Sequence, residues 1–133
     1  MARIDWAVVC DHAYLDRHDQ LCMIGVVRSL QAPQLPLVAH RLMLVARLAD
    51  IQPVDEVQFA LGVVTPRGLH IARPGSDNLL IEMAGEYVLA TLRDVRLCEE
   101  GVYRFQIQLR GQPVVAVQVP LMAAQVEPEA IVQ

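Results

Sequence analysis

Lysine is absent from this sequence: all eleven basic residues are arginines, outnumbered by fifteen Asp and Glu, and the formal net charge is −4. The arginines are scattered rather than clustered, which excludes the basic face a nucleic-acid partner would need. A polybasic membrane patch is missing for the same reason. Charges interrupt every apolar run before it approaches the roughly 18 residues of a transmembrane helix. The opening "MARIDWAVVCDH" places Asp5 ahead of a short apolar run and shows no small-residue cleavage pattern, so a signal peptide is not expected. Three cysteines, an odd number, do not make a closed disulfide framework. Free thiols in a reducing cytoplasm are the simplest account.

Apolar residues, in contrast, are plentiful, at 54% of 133 residues with a mean hydropathy of +0.34. A chain of this length buries a core without disulfides or metals. Its apolar positions recur with period 2, and the punctuation is turn chemistry rather than helix caps. Residues 4–13 and 21–30 read as two strands of a hairpin whose tip is residues 16–19. Two prolines make "QAPQLPL" an extended connection. In "AHRLMLVARLAD", Leu42, Leu44, Ala46 and Leu48 share one face, opposite Arg41, Met43, Val45 and Arg47. "VQFALGVVT" points Val57, Phe59, Leu61 and Val63 one way, and "TPRG" then signals a type I hairpin turn into a short strand at residues 69–72. "RPGSDNLLIEMAG" suits either a loop with a turn or two of helix or a strand, and the loop is preferred. "EYVLATLRDVRL", "VYRFQIQLR" and residues 114–119 complete the strands, with Tyr103, Phe105, Ile107 and Leu109 inward.

Seven to eight short antiparallel strands at turn spacings near ten residues predict an all-β, two-sheet sandwich, immunoglobulin-like or related, with at most one short helix. The single domain spans residues 1–120, and residues 121–133 form a loose tail or docking arm. Tyr103 opens a late strand just after a turn, as the tyrosine corner of such sandwiches does.

The densest chemistry lies in "VVCDHAYLDRHDQLCMIGVV". On a hairpin with Cys10 opposite Gly25 and Cys22 opposite Ala13, the sulfurs stand roughly 10 Å apart, too far to bridge. Cys10 and His12 become neighbours on one face, but Asp11 points away and cannot complete a triad. Asp16, His18 and Asp19 sit at the tip, where turn preference alone accounts for them. No H-x-H, H-x-x-x-H or C-x-x-C spacing occurs, nor any G-x-S-x-G, Walker loop or G-x-G-x-x-G. Glu99 and Glu100 read as a solvated turn rather than a carboxylate dyad.

The ordered motifs V-C-D-x-A (residues 9–13), L-x-x-I-G-V (21–26), a P-x-x-P-like connection, L-x-L-V-A-R-L (42–48) and G-x-Y-R-F (101–105) resemble an uncharacterised bacterial family of small sandwich-like proteins. The likeness covers both ends of the chain but not residues 74–84. It implies the sandwich fold and a bacterial cytoplasmic origin, and supplies no catalytic residue. Asp11 and Gly25 fall on its pattern; both are read structurally, Asp11 bonding nearby backbone and Gly25 leaving room for a facing side chain.

Two functional classes follow. The first is a non-enzymatic protein-binding or scaffolding module without cofactor or metal, whose partner is another protein or itself, as a homodimer. Its expected interface is Ala7, Val9, Ile24 and Val26, sharing the second face of the first hairpin, because one sandwich covers only one face of each sheet. The second is a small hydrolase or metal-dependent enzyme using Cys10, His12, Asp16 and His18. Convergence of those four groups in a concave pocket would favour the enzyme.

Overall fold

A computed structural model describes residues 2–52, 58–72 and 75–123. Among them the chain is all β and forms two five-stranded sheets. The strands are β1 (Arg3–Leu15), β2 (Leu21–Val26), β3 (Leu30–Ala32), β4 (Leu37–Ala49), β5 (Phe59–Val64), β6 (His70–Ala72), β7 (Leu79–Ala84), β8 (Tyr87–Leu97), β9 (Gly101–Leu109) and β10 (Val115–Ala123). The first sheet runs β2-β1-β4-β8-β7 and the second β3-β10-β9-β5-β6. The two-sheet sandwich agrees with the alternation of the sequence. Among the described residues no helix is long and apolar enough to cross a membrane.

Among the described residues, ten strands replace the expected seven or eight. Residues 79–84, preferred as a loop, pair with β8 from Leu79↔Leu92 to Ala84↔Tyr87. The second expected strand ends at Val26, and a separate short strand, β3, pairs with β10. That pairing is parallel, so the sandwich is not wholly antiparallel. The boundary expected at Pro120 also moves. β10 runs through it to Ala123, and Leu121 is fully buried opposite Leu30. Proline is tolerated there because β3 joins β10 only from Leu121 onward, leaving one side of the strand unpaired at Pro120. Residues 124–133, the rest of the expected tail, lie outside the described residues, as does Val57.

The core between the sheets follows the period-2 pattern. Leu42, Leu44, Ala46 and Leu48 of β4 meet Tyr103, Phe105, Ile107 and Leu109 of β9 in one buried cluster. Each buried aliphatic or aromatic side chain contributes about 1.5–3 kcal/mol of transfer free energy, which is why alternation on these central strands determines the architecture. At the crossing from β8 to β9, the Tyr103 hydroxyl is 1% exposed by residue and donates to the Glu99 carbonyl at 2.8 Å. The same oxygen accepts from the Glu99 N–H at 3.3 Å. This is a tyrosine corner. The "TPRG" turn also forms as expected, with Gly68 donating to the Thr65 carbonyl at 2.9 Å and leading into β6.

Candidate functional site

β1 and β2 form a hairpin that extends past the sheet. β1 pairs with β4 only as far as Cys10↔Met43, whereas its pairing with β2 continues to Leu15↔Leu21. Beyond Cys10 the hairpin is therefore an arm. Its tip is a three-residue loop, residues 17–19. Asp19 closes the turn by donating to the Asp16 carbonyl at 3.0 Å and adopts φ 59°, the left-handed position such loops need. The Asp16 carboxylate accepts the His18 and Gln20 N–H groups at 2.8 and 3.0 Å. Asp16 is thus a turn-former.

That odd loop moves the register one residue from the expected one. Cys10 lies opposite Val26, not Gly25, and Cys22 lies opposite Tyr14, not Ala13. A single-residue slip exchanges the faces of a strand. The expected interface set is divided as a result. Val9 is 0% exposed in the core between the sheets and Ala7 packs against that core, while Ile24 and Val26 are 56% and 54% exposed on the edge strand. The four do not line one surface. Gly25 has φ +69°, and a Cβ there would collide with the Asp11 carboxylate, so Gly25 does make room for the side chain facing it.

The catalytic alternative is not assembled. Cys10 is fully buried, and its Sγ lies 3.5 Å from the His12 carbonyl rather than against the ring. Burial, and secondarily the charge of Asp11, pushes its thiol up from its ordinary pKa, away from the thiolate a nucleophile requires. The His12 ring packs on Tyr14 at 5.5 Å, and its Nδ1 is buried without a hydrogen-bond partner. His18 is exposed at the tip. All three cysteines are free, and among the described residues no three His, Cys, Asp or Glu side chains converge as a metal-holding group would.

The arm instead covers the outer face of the first sheet. Cys10, Ala13, Met43, Val45 and Leu89 form a second buried cluster, against which Trp6, Val8, Leu21 and Tyr87 pack. The second apolar face inferred from the sequence is real, and the chain's own hairpin covers part of it. Between arm and sheet lies an open cleft of about 490 Å³, walled by His12, Tyr14 and Leu15 on one side and by β4, β8 and β7 on the other. Register orders its floor into rows. Arg41 stands opposite Arg93, Met43 opposite Thr91 and then Leu80, and Leu89 opposite Glu82. Sequence reasoning missed this cleft because Arg41, Arg93 and Glu82 come to line one surface only through pairing of distant strands.

DUF6941, described as a family of unknown function, matches residues 5–122, from the first strand to the last. The chain belongs to this family. No curated protein matches it. As a DUF6941 domain it thus has a family and a fold, and the expectation of an uncharacterised family is met.

Proposed function

We propose that this DUF6941 chain is a non-enzymatic protein-binding or scaffolding module of the bacterial cytoplasm, and that it works as a homodimer joined through β2. The observation that carries this reading is the exposed apolar edge of the arm: Met23, Ile24 and Val26 all stand in solvent on an edge strand. Proteins blunt such edges with charge, proline or very short strands. β2 has six residues and neither charge nor proline, whereas the other long edge, β7, carries Glu82. The remaining edges, β3 and β6, are three residues each.

Antiparallel pairing of β2 with the same strand of a second copy is self-complementary, as a twofold interface requires. Burying a few hundred Å² on each partner contributes on the order of 10 kcal/mol before association costs. Ile24→Asp and Val26→Arg each place a charge on that edge without touching the core. Both variants should dissociate the dimer in light scattering at micromolar concentration while keeping the β-sheet circular dichroism. Unchanged mass in both would reject β2 as the interface.

A further inference from the structure

The cleft beneath the arm holds an arrangement that its fold does not need. Arg41 and Arg93 are directly opposed across β4 and β8, and both are exposed. Like charges so placed repel and destabilise a sheet pair. Among the described residues neither guanidinium has an ion pair, whereas Arg47, on the same strand, is held by Asp5 at 2.6 Å and Glu86 at 3.1 Å. The carboxylate next in sequence, Asp94, is taken by His40 at 3.2 Å. Glu82 lines the same cleft, but its row lies four residues along β8 from the arginine row, about 13 Å at 3.3 Å per residue. Between the two rows the floor is Met43, Thr91 and Leu80, the last a leucine left largely in solvent.

We infer that this cleft is a binding site for a ligand with a carboxylate head and a short apolar body, the head between Arg41 and Arg93 and the body over Met43 and Leu80. Guanidinium pairs recognise carboxylates with planar, bidentate geometry. An anion between them replaces repulsion with two attractions, which the bare sheet lacks. The cleft volume is within the 300–1,000 Å³ of small-molecule sites, and its floor sets Met43 and Leu80 between a cationic end and an acidic one. Glu82 closes the far end to a second negative charge, so the site selects a monoanion over a dicarboxylate of similar length.

Octanoate is the direct probe, read by thermal shift and titration calorimetry on the full chain. Octanoate should raise the melting temperature and bind at least tenfold more tightly than octanol, octylammonium, inorganic phosphate or octanedioate. In the Arg41→Gln, Arg93→Gln double variant, octanoate affinity should fall at least tenfold, while the unliganded melting temperature stays level or rises because the repulsion is gone. A hydrophobic tetrapeptide tested as free acid and as amide separates two sources of the same chemistry. Acid-selective binding tighter than that of octanoate points to a protein C-terminus; weaker binding points to a small-molecule acid. No octanoate binding at millimolar concentration, equal binding of octanol or phosphate, or undiminished affinity in the double variant would each overturn the inference.

Discussion

Burial pushes the Cys10 thiol and the Tyr103 hydroxyl up from their ordinary pKa values, so the folded chain holds both protons more tightly than the unfolded chain does. The sign follows from which state ionises first. Below the unfolded-state pKa values both states are protonated, and the stabilisation is fully present. As pH rises past the ordinary thiol and phenol range, about 8.5 to 10, the unfolded chain gives up protons first, and the stabilisation is lost through the folded-state values. Urea midpoints should therefore be level from pH 7 to about 8 and fall above it, and Cys10→Ala should flatten the thiol part of that fall. Tyr103→Phe removes the corner hydrogen bonds from Glu99 and should cost about 1–2 kcal/mol in the same assay. Gly25→Ala forces a Cβ into Asp11 at a left-handed backbone position and should cost about 1–3 kcal/mol. His12→Phe runs the other way. It keeps the ring against Tyr14 and removes a buried nitrogen without a partner, so stability should hold or rise by about 1 kcal/mol.

The interior strands, such as β4 and β8 in the first sheet and β9 in the second, have hydrogen-bonded neighbours on both sides, while the arm beyond Cys10 forms strand pairs only within its own hairpin. Amide hydrogen exchange should accordingly be slowest at the strand centres, residues 42–46, 88–92 and 103–107, and faster in the arm by orders of magnitude. Protection of the arm equal to that of β4 would mean that its packing on Met43, Val45 and Leu89 holds it as firmly as a sheet neighbour would. The element most legible in the sequence is β9, because its strict period-2 pattern has only one way to bury its apolar half, while β4 and β5 were legible as apolar runs bounded by turn signals. Tyr103 was legible for a local reason, its position just after a turn. The hairpin register was not, since Asp19 takes the left-handed loop position that glycine usually marks. One residue of slip was enough to part Ile24 from Val9, which faces the core while Ile24 stands outside it. β7 was ambiguous because "LLIEM" lacks alternation, and its partner, β8, decides the matter. The cleft was illegible altogether: residues 41, 82 and 93 line one surface only once three strands are aligned.

On the scale of the whole molecule, two sheets enclose one core and the arm shields part of a second apolar face, so most of the apolar excess in the composition is used within one chain. What remains in solvent on the arm is Tyr14 of β1 and, along β2, Met23, Ile24 and Val26. Self-association through that edge is the central claim, and the mass of the unmutated chain in solution tests it most directly. Multi-angle light scattering at micromolar concentration should give twice the 14.8 kDa of the chain, with a shift toward 14.8 kDa in Ile24→Asp. A monodisperse species of 14.8 kDa for the unmutated protein, unchanged on raising its concentration tenfold, would contradict it.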